Sequence, residues 1–165
     1  MKGKPEKDFI RQVTDAQGIV HKVCAVYCTD PEHRKDLFQE ILIQLWKSYP
    51  SFKNKAKFST WMYRVSLNVA LQYVRKRHRK PVEVELSTAL RDLSDQGTED
   101  HYEEELRLLY AAISQLKDVE KAVIMLYLED KGNDEIAEII GISQNYVRVK
   151  MNRAKTKLRK ILNTH

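Results

Sequence analysis

The chain has 165 residues, 42% hydrophobic and 32% charged, with a formal net charge of +6. That is enough apolar content for a core, and enough length for one ordinary domain or two small ones. No apolar run approaches the ~20 residues of a membrane span. The polar N-terminus also lacks the apolar stretch of a signal peptide, so the expectation is a cytoplasmic protein without direct membrane insertion.

Glycines number five and prolines four, and most long windows space their apolar residues by three and four. Both features predict an all-α fold. The first helical pattern passes through Phe9, Ile10, Val13, Val20, Val23 and Tyr27, with Gly18 as a candidate break. Asp30-Pro31 is a cap followed by a helix-starting proline. The helix it opens runs to about Ser48, stopped by Tyr49-Pro50-Ser51. A basic loop, Phe52 to Lys57, leads to a helix capped by Ser59 and reaching about Arg77. Residues 81–103 are rich in Ser, Thr, Gly and acids without a clean period, and are expected to be a linker. It divides domains at 1–80 and 104–165. In the second, a helix runs from about Glu103 to Leu116, and Asp118 caps the next. Asp134–Ile140 is a short helix, and Gln144–Leu162 closes the chain.

Charge is distributed unevenly. Residues 41–82 hold ten Lys or Arg, no acid, and seven of the fourteen aromatics. Cations suit phosphates, and rings among them suit unstacked bases. Residues 83–105 carry nine acids against one Arg, and residues 144–165 carry seven cations without an acid. Two basic blocks separated by an acidic segment imply two contact surfaces for one acidic polymer.

The run Glu135-Ile136-Ala137-Glu138-Ile139-Ile140-Gly141-Ile142-Ser143 followed by a basic helix reads as a helix-turn-helix. Ala137 lets the second helix cross closely, Gly141 can take a positive φ, and Ser143 can cap. In the last helix Val147, Met151, Ala154 and Leu158 recur at spacings of four, three and four, which marks the inward face. Arg and Asn on the other face can bond base edges. The duplex-contacting set expected here is Ser143, Gln144, Asn145, Tyr146, Arg148, Val149, Lys150, Asn152, Arg153 and Lys157.

His21, Cys24 and Cys28 share a helical face with His33 just beyond, which makes a zinc site conceivable. The simpler reading, two small core thiols, is the expectation. No metal or other cofactor is expected. No phosphate loop or catalytic constellation is visible, so the chain is not read as an enzyme.

Asp36-Leu37-Phe38-Gln39-Glu40, Trp46, Phe58 to Asn68 and Arg75-Lys76-Arg77-His78-Arg79 together resemble region 2 of the extracytoplasmic-function sigma factors. Leu116 to Leu162 resembles region 4. The usual Leu-Pro before the second helix of region 4 is Leu116-Lys117 here. The resemblance implies a subunit that binds core RNA polymerase and directs it to promoter DNA, with an anti-sigma factor as a further partner. It implies polymerase contacts at Asp36, Leu37, Gln39, Glu40 and Trp46. For the melted −10 element, pattern and resemblance together point to Lys53, Asn54, Lys55, Lys57, Phe58, Trp61, Arg64, Asn68 and Arg75. Trp61 could equally be core. The alternative is a stand-alone helix-turn-helix regulator of duplex DNA, which leaves residues 41–82 unexplained.

Overall fold

The computed structural model describes residues 4–54, 56–77 and 101–163, and among them every regular element is an α-helix. α1 (Lys4–Asp15) and α2 (Gln17–Tyr27) are separated at Ala16. The break therefore precedes Gly18, which lies inside α2. Ala16 closes the first helix by donating its N–H to the carbonyls of Gln12 and Val13.

α3 (Pro31–Phe52) starts as its sequence predicts. Asp30 accepts the Glu32 N–H at 2.9 Å, and Pro31 occupies the first turn. Its end differs from expectation, because the helix continues through Pro50. Proline withholds an N–H and crowds the preceding turn, but so near the end little ladder remains to disturb. The Ser51 hydroxyl donates to the Ser48 carbonyl at 2.7 Å. The chain turns at Lys53 and Asn54, both left-handed, with φ of 46° and 55°. α4 (Phe58–Arg77) then begins one residue before Ser59. Ser59 thus sits in the first turn, and the Lys57 carbonyl accepts the Trp61 N–H.

The second half holds α5 (His101–Ile113), α6 (Asp118–Leu128), α7 (Asn133–Ile140) and α8 (Gln144–Asn163). α5 begins inside the expected linker and ends before Leu116. Lys117, not Asp118, is the cap of α6, and its N–H donates to the Glu120 carboxylate at 3.3 Å. The remainder of the linker, residues 81–100, lies outside the described residues, as do Lys55, His78 and Arg79.

Leu37, Ile41 and Leu45 recur every four residues on α3 and are fully buried with Val20, Val23 and Met62. Such side chains contribute roughly 1.5–3 kcal/mol each. Buried residues of both halves join one continuous cluster. Polar contacts line the seam between them. Tyr27 donates its hydroxyl to the Asp118 carbonyl at 2.7 Å. Lys22 meets Glu129 at 3.2 Å, Lys131 reaches the Thr60 hydroxyl at 3.3 Å, and Arg64 faces Glu138 at 3.8 Å.

Candidate nucleic-acid interface

The acid-free block folds into the end of α3, the left-handed turn and α4. Between the two helices lies an open cavity of about 540 Å³. Trp61, Arg64 and Asn68 line it, as the sequence leads one to expect. Gln44 and Ser48 line it too and were missed, and so does Gln72, which shares a polar face of α4 with Arg64 and Asn68 in the sequence but was left out of the expected set. A signal for the first two existed. Asp36, Glu40, Gln44 and Ser48 follow one another at intervals of four, so one side of α3 changes from acid to amide and hydroxyl along its length. Three amides, from Gln44, Asn68 and Gln72, give the cavity both donors and acceptors. That mixture suits the edge of a base better than a phosphate.

Trp61 is 7% exposed and packs against Phe52 and Phe58, with ring centroids 5.0 and 5.4 Å away. It is a core residue whose ring also forms part of the cavity wall. Phe58 is half-buried in the same aromatic cluster and is absent from the cavity lining. Lys53, Asn54 and Lys57 are exposed at the turn, and Arg75 is exposed on α4. Arg64 is already engaged, since one end of its guanidinium faces Glu138. Its Nε is buried without a hydrogen-bond partner, as is the Ser66 hydroxyl on the same helix, while the Tyr63 hydroxyl lies beside the Glu129 carboxylate.

Along α3, Asp36, Gln39, Glu40 and Trp46 are exposed. Phe9 of α1 braces Trp46 edge-on, at 5.0 Å. Ile43 is 52% exposed beside them and was not foreseen. Leu37 is a correction. Its side chain is fully buried, so it anchors α3 to the core and offers a partner no surface.

α7 and α8 form the helix-turn-helix. Gly141 has φ of 82°, a region open to glycine at little cost. The Ala137 carbonyl accepts the N–H groups of Gly141 and Ile142. Ser143 accepts the Tyr146 N–H at 3.0 Å, which caps α8. Val147, Met151, Ala154 and Leu158 are buried. Gln144, Asn145, Tyr146, Arg148, Val149, Asn152 and Arg153 are exposed on the opposite side. Lys150 is half-buried, its ammonium 5.1 Å from the centre of the Tyr146 ring. Lys157 turns inward and contacts both carboxylate oxygens of buried Glu120 at 3.0 Å.

Cys24 and Cys28 are buried and unlinked. Burial pushes their thiols up, to about 12 and about 11. His21 stacks on Phe38 instead of facing them as a ligand would, with centroids 4.8 Å apart. No group of three or more His, Cys, Asp or Glu suited to a metal gathers among the described residues. No described helix is long and apolar enough to cross a membrane.

The chain matches the family description "Sigma-70 region 2" over residues 13–80 and "Sigma-70, region 4" over residues 106–158. It is 28% identical to RNA polymerase sigma factor SigV of Bacillus subtilis over 143 residues, 86% of this chain and 83% of that one. It is 29% identical to the ECF RNA polymerase sigma-E factor of Haemophilus influenzae over 131 residues, 73% and 69% of the two chains. The sigma factor RpoE of Bartonella quintana, solved with the anti-sigma factor NepR, has the same fold, with a TM-score of 0.70 at 19% identity. That match covers 95% of this chain and 98% of the other. Together the two matched regions span both the amide-lined cavity and the helix-turn-helix, and the chain belongs to the sigma-70 family.

Proposed function

We propose that the two halves divide the promoter between them, α3 and α4 holding melted −10 bases and α8 reading the −35 duplex. The observation that carries this reading is the cavity between α3 and α4, with amides on its walls and exposed lysines at the turn between the two helices. A duplex-binding regulator has no use for such a cavity. Extruding a base costs a few kcal/mol, and the cavity offers compensation. Its Trp61 wall is apolar, and Gln44, Asn68 and Gln72 supply donors and acceptors. Lys53 and Lys57 at the turn, with Arg75 farther along α4, are the phosphate contacts.

Asp36, Gln39, Glu40, Ile43 and Trp46 form the surface for core polymerase, acidic at one end and apolar at the other. Binding is the whole contribution of this chain; nucleotide addition belongs to the polymerase, in the cytoplasm. An anti-sigma factor is the remaining partner, supported by the solved sigma factor RpoE, which carries one.

The test is Asn54→Ala with Asn68→Ala in the holoenzyme on fully duplex promoter. Core binding and −35 occupancy should persist, while permanganate reactivity of −10 thymines appears at least tenfold more slowly. Thymine reactivity at the wild-type rate would place the melting pocket elsewhere.

A further inference from the structure

Glu120 is fully buried in the first turn of α6, yet it is a carboxylate. An unpaired charge there would be costly to the fold. Two groups compensate it. The Lys117 N–H donates to it at 3.3 Å, and Lys157 of α8 contacts both its oxygens at 3.0 Å. Lys157 lies 37 residues away on the helix assigned to duplex reading. Its side chain remains 40% exposed, so it has solvent within reach should the pair break.

α8 is thus held at two kinds of anchor. Its start is pinned by the Gly141 turn and the Ser143 cap. Its middle rests on Val147, Met151, Ala154 and Leu158, an apolar stripe whose contacts are non-directional. The ion pair adds direction, because a lysine bonded to both oxygens of one carboxylate fixes where that turn of helix sits. Suppose α8 tilts by about 10° about Ser143. At ~1.5 Å per residue, Arg148 then moves by about 1.3 Å and Arg153 by about 2.6 Å. Both exceed the roughly 0.5 Å tolerance of a preorganised contact.

We propose that Glu120 is a positioning residue for −35 recognition, setting the tilt of α8 through Lys157. This rests on the reading of α8 as the duplex-reading helix. It also makes Lys157 a strut, where the sequence had suggested a phosphate contact.

The experiment uses the full chain with core RNA polymerase. A random duplex pool is selected on the wild-type complex. Affinity for the selected duplex is then compared with affinity for its scramble, across a salt series. Glu120→Gln keeps the shape and frees Lys157. The selected-to-scrambled ratio should fall tenfold or more, while the salt slope steepens by about 0.9 as the freed lysine finds a phosphate. Glu120→Leu with Lys157→Met restores an apolar contact without direction, and guards against a variant that fails to fold. It should unfold cooperatively yet show the same tenfold loss. A role in stability alone would shift melting temperature and leave the ratio untouched. If either folded variant keeps the wild-type ratio, the proposal is overturned. If the wild-type complex selects no sequence and contacts none at −35, the duplex-reading assignment itself falls, and the proposal with it.

Discussion

Tyr27→Phe isolates a single atom at the seam between the two halves. The hydroxyl donates to the Asp118 carbonyl at 2.7 Å, across 91 residues of sequence. The ring is buried, and the Lys121 ammonium lies 5.1 Å from its centre. Phenylalanine keeps the ring, its burial and the cation contact, so no cavity opens. What disappears is one neutral hydrogen bond across the seam. A bond of this kind contributes ~0.5–1.5 kcal/mol. A loss of about 1 kcal/mol corresponds to a drop in melting temperature of roughly 2–4 °C for a chain of this size. Circular dichroism melts at neutral pH measure it directly. Amide exchange in α2 and α6 should accelerate together, since the bond ties those two helices. A melting temperature within about 1 °C of wild type would refute the reasoning, because the bond would then be worth nothing. Faster exchange in only one helix would also refute it, since the bond would not be a tie.

Asp36→Arg with Glu40→Arg should weaken binding to core polymerase at least tenfold in a fluorescence titration. Binding of the selected −35 duplex should be retained, and unchanged polymerase affinity would remove α3 from that interface. Arg148→Ala should relax selection at one base position, losing about 1–3 kcal/mol of discrimination there. Arg159→Ala should flatten the salt slope for all sequences alike, and identical profiles for the two would erase the distinction between reading and phosphate contact. The thiols give a pH dependence. Cys24 and Cys28 are held at about 12 and about 11 by burial, above their ordinary 9.0. Above pH 9 the unfolded chain ionises them while the native chain does not. The stability they confer is therefore whole below pH 9 and declines as pH rises toward 11. Urea unfolding of Cys24→Ala with Cys28→Ala should show a shallower decline between pH 9 and 11, and a decline as steep as wild type would count against it.

The helices and the helix-turn-helix were legible because local chemistry agreed with tertiary need. Asp30-Pro31 is a helix start in any context, and Gly141 is the residue its turn requires. The errors lie where tertiary contact decided instead. Pro50 should have ended α3, but Phe52 had an aromatic cluster to join, and the helix carried it there. Leu37 was assigned to a partner through the family resemblance, though a stripe at every fourth residue marks it as core. Gln44 and Ser48 escaped notice because an amide and a hydroxyl on a helix are ordinary until a second helix closes a cavity over them. Lys157 was counted with the phosphate contacts because its partner lies 37 residues away. Nothing local to α8 announces a buried carboxylate on α6.

The seam has a consequence in length. Elements named for positions −35 and −10 lie roughly 25 base pairs apart, about 85 Å along straight duplex. A folded chain of 165 residues has a radius of gyration of ~15 Å and a diameter near 40 Å. With Tyr27 bonded to Asp118 and Arg64 facing Glu138, one molecule cannot touch both elements. Residues 78–100 are the only covalent tether, and 23 residues span at most about 80 Å. On the proposed division of the promoter the halves must therefore part, and the chain between them is long enough to let them. Parting costs the seam bonds. A chain folded upon itself engages both elements only in the fraction already open, so its apparent affinity for the whole promoter is scaled by that fraction. Each contact at the seam thus sets, by the same free energy, how much of the chain stands ready to start transcription.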